Sequence, residues 1–268
     1  MDAHGGQLGT DAASDRRAAV QRAIVAMRAG LGRPQPLTAL AKNGLFSPFY
    51  FHRIFRDITG LTPARFLAAL RMAEARRLLR YSRLPVNRIG ERVGYTSPGT
   101  FGTQFGRLVG LSPARFRTLV RSLGDERVGG WLPVLAHASV RRTGATMALS
   151  GVPAAESLVV GRLYATGGAG DRGLWALGTG SGNCPVRLPE APHPGEYAVF
   201  AVAVPGGVRL ADVLVERPGS YLLGRAQVSL TAREQSAARV HTILRWPELT
   251  DPPTLAITPL DWLVPSVA

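Results

Sequence analysis

The stretch GLTPARF, Gly60–Phe66, occurs a second time in this 268-residue chain as GLSPARF, Gly110–Phe116. A shift of 50 residues aligns residues 44–71 with residues 94–121 without a gap, and 12 of these 28 positions are identical. A match of this length indicates a tandem duplication. Because only two copies occur, the chain is not a solenoid of many repeats.

The repeated stretch predicts a joint between two helices. Gly60 ends one helix, because glycine adopts the left-handed conformation that follows many helix ends. Thr62 caps the next helix, and Pro63 occupies its first position, where the missing N–H has no partner to lose. The pair Ser47-Pro48 begins the preceding helix in the same way. Its core face has helical spacing at Phe51, Ile54, Phe55 and Ile58.

The surrounding sequence extends this joint into two similar helical units. A short apolar segment precedes each capped helix, at residues 37–41 and 86–93, and copy two repeats the capped helix from Ser97. A long helix from Pro63 to about Tyr81 separates the copies. A first helix, capped by Ser14 or Asp15, precedes them both. Helix, short turn and capped helix form the helix-turn-helix plan, whose second helix lies in the DNA major groove.

The charge is concentrated in the duplicated half. Residues 1–125 hold 20 Lys and Arg against 7 Asp and Glu, whereas residues 126–268 hold 12 against 11. This asymmetry favours a polyanionic partner, with nucleic acid before an anionic membrane. The single cysteine, Cys184, cannot form an internal disulfide. No leader peptide or 18-residue apolar run is present, so we expect a cytoplasmic protein that does not bind membranes.

The helical half resembles the DNA-binding domain of AraC-type transcriptional regulators. The resemblance covers residues 15–122 and lies in SPFYFHRIFRDITGLTPARF, LRMAEARRLL and IGERVGYTSPGTFGTQFGRLVGLSPARFR. It implies two recognition helices in successive major-groove segments, about 34 Å or 10–10.5 base pairs apart. Such regulators usually carry their DNA-binding domain at the C-terminus, whereas here it comes first.

The predicted DNA contacts lie on the second helix of each unit. In copy one they are Ser47, Phe49, Tyr50, His52, Arg53 and Arg56, and in copy two Ser97, Gly99, Thr100, Thr103, Gln104 and Arg107. The resemblance makes Phe49, His52 and Arg53 the base-reading positions. Their counterparts are Gly99, Gly102 and Thr103, so we expect copy two to contact mainly the DNA backbone. Packing remains the alternative for Phe49 and Tyr50, and a solvated or phosphate-facing role for His52.

The other half changes from helical to strand periodicity. Residues 1–14 are predicted to be a disordered tail and residues 123–152 a linker. Residues 153–268 contain the strand-like runs SLVVGRLY, EYAVFAVAV, YLLGRAQVSL and ARVHTILRW. They predict a small all-β sandwich-like domain that is similar to transthyretin-like modules. A possible effector pocket would be lined by aromatic residues, for which ordinary core packing is the alternative: Trp175, Tyr197, Phe200, Tyr221 and Trp246.

These features predict a sequence-specific, double-stranded DNA-binding transcription regulator whose second domain senses a ligand or mediates self-association. The expected partners are DNA, RNA polymerase, a small-molecule effector and a second copy of the chain. An adaptor that recruits another protein through its β domain is the alternative, and a DNA-directed enzyme is a further one. The histidines have no metal-ligand spacing, and no nucleophile elbow or phosphate loop occurs. We therefore expect no catalytic residue, metal or cofactor.

Overall fold

The computed structural model describes residues 4–42, 44–137, 144–153, 156–165, 174–181, 185–188, 190–231 and 235–253. The chain divides into two compact units. Of the described residues, the helical unit comprises those within 1–114 together with 248–253, and the sheet unit comprises those within 115–247. Cys184 lies outside the described residues. Within the described ranges, no helix is both long and apolar enough to cross a membrane.

In the described residues up to Ser122, seven helices follow one another: α1 His4–Ala29, α2 Leu37–Lys42, α3 Pro48–Thr59, α4 Pro63–Tyr81, α5 Val86–Arg92, α6 Pro98–Val109 and α7 Pro113–Ser122. The pairs α2–α3 and α5–α6 are the two predicted helix-turn-helix units, and α4 joins them. The predicted helix starts at Pro48, Pro63 and Pro98 are confirmed.

The predicted caps account for where these helices begin and end. The Ser47 side chain accepts a hydrogen bond from the Tyr50 backbone N–H, and Thr62 accepts one from Arg65. Gly60 follows α3 in the left-handed conformation with φ 79°. Gly110 does the same after α6, with φ 92°. The caps therefore define where each helix begins and ends, and so they determine which residues lie on its exposed face.

Phenylalanines from α3 and α4 form the core of the first copy. Phe51 and Phe55 are fully buried, and the Phe55 ring meets Phe66 edge-on at 5.4 Å between centroids. Val20 and Ile24 of α1 belong to the same cluster. In copy two, Phe101 and Phe105 are likewise buried, with centroids 5.7 Å apart. The apolar stripes predicted from helical spacing are confirmed.

The turn that precedes each capped helix differs in length between the two copies. α2 and α5 begin 49 residues apart, at Leu37 and Val86, whereas α3 and α6 begin 50 apart. The left-handed residue of the turn is Leu45 (φ 58°) in copy one and Gly94 (φ 86°) in copy two. The ungapped pairing of Gly44 with Gly94 is therefore wrong for the turn, because copy two contains one additional residue there.

Apart from α7, most of which also belongs to this unit, the described residues of the sheet unit form two helices and seven strands: α8 Val128–His137, β1 Thr146–Ser150, β2 Ser157–Ala165, β3 Leu174–Gly180, β4 Pro185–Arg187, β5 Gly195–Pro205, α9 Leu210–Leu214, β6 Leu222–Leu230 and β7 Arg239–Ile243. One sheet has the order β4-β1-β7, in which β1 and β7 are parallel. The other is antiparallel, in the order β3-β2-β5-β6. The four strand-like runs of the sequence correspond to β2, β5, β6 and β7.

The two sheets share one apolar core. Met147 and Val240 contribute to it from the three-stranded sheet, and Val159 and Val199 from the four-stranded sheet. The sheets approach closely at Gly161, where a Cβ atom would lie 2.9 Å from the side chains of Met147 and Leu188. Glycine at this position therefore permits the close packing of β2 against the facing sheet.

Three sequence-based boundaries differ from the structure. The predicted disordered tail is wrong for residues 4–14, because α1 begins at His4. Once a helix has formed, each added residue gains a hydrogen bond without a new nucleation step. The predicted linker, residues 123–152, contains α8 and β1. The second half is also not all-β, since α8 and α9 belong to it; Val128 and Leu132 of α8 are buried.

A short segment near the end of the chain belongs to the helical unit, although the sequence analysis assigned it to the β half. Leu249 packs against the core cluster that contains Phe51 and Phe55. The Arg17 guanidinium of α1 lies 2.5 Å from a carboxylate oxygen of Glu248. Thr250 is 4% exposed. Residues 248–253 thus add buried surface to a core that is otherwise built from the first half of the chain.

Candidate nucleic-acid interface

The exposed face of α3 carries the side chains predicted to read bases. Phe49 is 85% exposed, so the packing alternative for this residue is wrong. Arg53 is exposed, and its guanidinium carbon lies 5.2 Å from the centroid of the Tyr50 ring. The Tyr50 ring in turn packs at 5.2 Å on Phe46. Tyr50 therefore both packs and supports Arg53.

This arrangement limits the conformations of Arg53 while leaving its N–H groups available. A cation–π contact at an exposed site contributes about 0.5–1 kcal/mol. Arginine can donate two parallel hydrogen bonds to guanine, and an exposed phenylalanine can contact a thymine methyl group. His52 is half-buried, and Arg56 at the next turn of α3 is exposed. α3 consequently combines one apolar and several basic groups along one short helix.

The corresponding face of α6 has shorter side chains that bond to one another. Ser97 accepts a hydrogen bond from the Thr100 backbone N–H, and the two hydroxyls lie 3.0 Å apart. The Arg107 guanidinium donates to the Gln104 side-chain oxygen at 2.8 Å. Thr103 is exposed. These hydrogen bonds engage much of the polar surface that the sequence analysis assigned to DNA contact.

Packing does not explain the glycines of α6. A Cβ atom at Gly102 would meet nothing within 4 Å, and at Gly99 or Gly106 the nearest atom would lie 4.0 Å away. Larger side chains would therefore fit at all three positions. The exposed face of α6 therefore projects less than that of α3 because these positions lack side chains. Neighbouring atoms do not occupy the space.

Arg77 and Arg88, which lie outside α3 and α6, have acidic partners. Arg77 forms an ion pair with Glu74 at 2.7 Å, and Arg88 forms one with Glu91 at 2.6 Å. The Glu74 carboxylate raises the pKa of Arg77, first through its hydrogen bond and then through its charge. By contrast, α6 contains no acidic residue, and α3 contains Asp57 alone. On both α3 and α6, the basic side chains therefore outnumber the acidic ones.

Tyr197 and Phe200, two of the aromatic residues predicted to line an effector pocket, lie on opposite faces of β5. Tyr197 lies in the core between the sheets, and its hydroxyl donates to the His193 carbonyl at 2.7 Å. Phe200 is buried on the opposite face of β5, where the Arg225 guanidinium lies 5.7 Å from its ring. Tyr221 is buried, and Trp246 is 55% exposed. The side chain of Trp175 lies outside the described residues. Odd and even positions of a strand face opposite ways, which separates Tyr197 from Phe200.

Two residues of the helical unit, Leu45 and Arg71, were not among the predicted site residues. Leu45, in the turn before α3, is 96% exposed. Arg71, on α4, donates hydrogen bonds to backbone carbonyls far away in the sequence. A large apolar residue in a turn was a usable signal for Leu45, whereas nothing local distinguishes Arg71 from its basic neighbours. In the described part of the chain, no group of three or more His, Cys, Asp or Glu residues is placed to hold a metal ion.

Comparison with known proteins agrees with this geometry. A family model described as a helix-turn-helix domain matches residues 40–118. The activator RclR of Escherichia coli K12 is 36% identical over 92 residues, which are 34% of this chain and 32% of RclR. The activator RhaS of Escherichia coli SE11 is 39% identical over 79 residues, or 30% of this chain and 28% of RhaS. The chain thus spans about a third of the length of the curated relatives it matches.

Solved structures also resemble part of the chain. The DNA-binding domain of AdpA, crystallised with a target DNA, is 29% identical, with a TM-score of 0.38. The match covers 40% of this chain and 96% of that one. The C-terminal domain of AraT from Geobacillus stearothermophilus is 30% identical, with a TM-score of 0.37, and the match covers 38% and 84% of the two chains.

The helices, their caps and the matched family model together define the class of domain. Residues 40–118 form a tandem helix-turn-helix domain. Through this domain the chain is similar to the RclR and RhaS activators.

Proposed function

We propose that this protein binds double-stranded DNA sequence-specifically and regulates transcription, with α3 as the principal base-reading helix and α6 as mainly a backbone-contacting helix. The observation that carries the proposal is the face of α3. There, Arg53 is held by the Tyr50 ring beside the 85%-exposed Phe49. The equivalent positions in α6 are Gly99, Gly102 and Thr103, which offer fewer groups for base contacts.

The charge distribution supports DNA as the partner. Exposed arginines on and beside α3 and α6 can neutralise phosphates and release counterions. Each neutralised phosphate lowers the slope of log affinity against log salt by about 0.9. The relatives RclR and RhaS are named transcriptional activators, which supports a regulatory role. We assign no catalytic residue to the chain.

Selection of duplexes from a random DNA library by the purified full chain tests this proposal. We expect one dominant sequence, with strong base preference in the half contacted by α3 and weak preference in the half contacted by α6. Base-by-base substitution of the selected duplex then measures each preference. Equal discrimination in both halves would overturn the unequal roles of the helices, and the absence of any selected sequence would overturn specific binding itself.

For the sheet unit, a role in self-association or in recruiting another protein is favoured over ligand sensing. Ile243 is 66% exposed and Trp246 is 55% exposed, close together in sequence at the end of β7. Exposed apolar groups of this kind are typical of interaction surfaces. The double variant Ile243→Ser, Trp246→Ser should lower the oligomeric mass measured by light scattering. An unchanged monomeric mass in both proteins would exclude self-association and leave recruitment of another protein.

A further inference from the structure

Arg71, near the middle of α4, bonds to the loop that joins α1 to α2. Its Nε donates to the Leu31 carbonyl at 3.0 Å, and its Nη2 donates to the Arg33 carbonyl at 3.1 Å. These carbonyls lie about 40 residues away in the chain, at sequence separations of 40 and 38. A single side chain therefore ties the linking helix to the loop that leads into the first helix-turn-helix unit.

The same guanidinium also contacts the turn of the second unit. Its central carbon lies 5.7 Å from the centroid of the Tyr95 ring, between α5 and α6. Tyr95 packs in turn on Phe101 of α6, with 5.5 Å between centroids. Burial raises the pKa of the Tyr95 phenol, and the positive charges of Arg71 and Arg107 oppose that rise. Arg71 thus connects the first unit with the packing of the second recognition helix.

The loop and the turn also meet directly on either side of this side chain. A Cβ atom at Gly94 would lie 2.5 Å from the Leu31 carbonyl oxygen and 2.7 Å from Arg71 Nη2. A Cβ atom at Gly32 would lie 2.9 Å from the Arg92 carbonyl oxygen. The backbones can approach this closely only because both positions are glycine, and Gly94 also requires glycine for its φ of 86°.

Arginine suits this position for chemical reasons. Its planar group offers five donors in a fixed fork and can lie on an aromatic ring, whereas lysine offers a point charge. The residue that aligns with Arg71 in the duplication is Arg121, which is exposed. The identity of the two residues therefore reflects a shared origin, and the bridging contacts occur in the first copy.

We infer that Arg71 is a positioning residue: it holds the α1–α2 loop of the first helix-turn-helix unit against the α5–α6 turn of the second. It thereby sets the orientation of α3 relative to α6, and with it the half-site spacing that the protein accepts. The effect on half-site spacing rests on the proposed function, whereas the orientation of α3 relative to α6 does not.

A distance measurement tests the orientation without DNA. Nitroxide labels are placed at Lys42→Cys and Thr103→Cys in the full chain, with Cys184→Ser, because both labelled positions are exposed. We expect one narrow distance distribution with Arg71 and a clearly broader one with Arg71→Gln. Arg71→Lys should give an intermediate width. An unchanged distribution in Arg71→Gln, with the helical content retained, would overturn the inference.

A DNA experiment tests the consequence. The duplex selected by the unsubstituted protein is compared with versions that carry one added or one removed base pair between the half-sites, and with a single half-site. Arg71→Gln should bind the original spacing about tenfold more weakly, as expected for loss of one charge-assisted contact. It should discriminate less between spacings and bind the single half-site unchanged. A purely destabilising change would instead weaken all duplexes in proportion.

The control is Arg77→Gln, on the same helix, which removes a surface ion pair with Glu74. It should retain both the narrow distribution and the spacing preference. Tyr95→Leu is a second variant, which keeps the Arg71 hydrogen bonds but removes the ring, and it serves as the test if Arg71→Gln fails to fold. It should also weaken the spacing preference. The inference would be overturned if the spacing preference is unchanged in every one of these two variants that folds. If no duplex is selected, the proposed function fails, and the label distances still decide the role of Arg71.

Discussion

At the scale of single residues, the two recognition helices differ more than their shared ancestry predicts. Phe51 and Phe101, which face the cores, are the same residue at equivalent positions, and both are fully buried. On the exposed faces, Phe49 and Arg53 stand against Gly99 and Thr103. Burial preserves the core residues because a changed volume would leave a cavity or a clash. The exposed positions do not have this constraint, so they can differ between the two copies.

Arg53→Ala should weaken binding to the selected duplex by about 1–3 kcal/mol, because a paired arginine–guanine contact is lost. Binding to unrelated DNA should change much less, since it depends on phosphate contacts. Fluorescence anisotropy with both duplexes, at one fixed salt concentration, measures the two losses. Arg56→Ala on the same helix is the matched control, and it should weaken both by similar factors. Equal losses for Arg53→Ala would remove Arg53 from base reading.

Substitution of Leu45 by asparagine should stabilise the protein. Leu45 has a φ of 58° although it is not glycine, and it is 96% exposed. A left-handed conformation is unfavourable by roughly 1–2 kcal/mol for most side chains and is better tolerated by asparagine. Leu45→Asn should therefore raise the free energy of unfolding by about 0.5–1 kcal/mol. Leu45→Ala, which keeps the unfavourable backbone, should show no such gain in urea denaturation.

At the scale of elements, α3 and α6 have the same length and caps but differ in helix propensity. Each has 12 residues, a serine cap and proline at its start. α6 also contains Gly99, Gly102 and Gly106, and each glycine destabilises a helix by about 1 kcal/mol relative to alanine. We expect α6 to open more readily than α3 before DNA binds. Its contacts would then form partly on binding, which suits contacts to the backbone.

Gly102→Ala tests this difference between the helices. Nothing lies within 4 Å of the added methyl group, so the change should raise the stability of α6 by up to about 1 kcal/mol. Hydrogen exchange should slow in α6 and remain unchanged in α3. The contrasting variant is Gly94→Ala, at which a Cβ atom would lie 2.5 Å from a carbonyl oxygen, and it should destabilise the protein. Faster exchange in Gly102→Ala would contradict the open space found there.

At the scale of the whole molecule, the chain leaves the helical unit, forms the sheet unit and then returns. Residues 248–253 supply Leu249 to the core of the first helix-turn-helix copy and Glu248 to Arg17 of α1. The ion pair is largely exposed and adds little stability. The buried part of the segment matters more, because apolar area removed from water is the main source of stability.

Leu249→Ala should therefore destabilise the helical unit, although Leu249 lies more than 130 residues beyond Ala114, where the first segment of that unit ends. Leu249 is only partly buried, so we expect a loss of about 1–2 kcal/mol. Hydrogen exchange should accelerate in α1 and α3 of the full chain. The 96%-exposed Leu45, changed to alanine, is the matched control with the same loss of side-chain atoms. Unchanged exchange in α1 and α3 would show that the segment adds no stability there.

The sequence by itself determined the elements of the duplicated half. Caps, prolines, glycines and apolar spacing are local signals, because the groups that they satisfy lie within one helical turn. They therefore placed α3, α4 and α6, and the strand-like run ARVHTILRW placed β7 in the same way. The exposed face of α3 followed from its buried face.

Tertiary structure alone decided features that depend on groups distant in sequence. These include the additional turn residue of copy two, the bridge from Arg71 to Leu31 and Tyr95, and the place of Leu249 in the helical core. Tyr197 and Phe200 were likewise separated by the two faces of β5. A side chain's distant neighbours are set by how the whole chain packs. Local spacing can show that a residue is apolar or basic, but the folded chain selects the group that it meets.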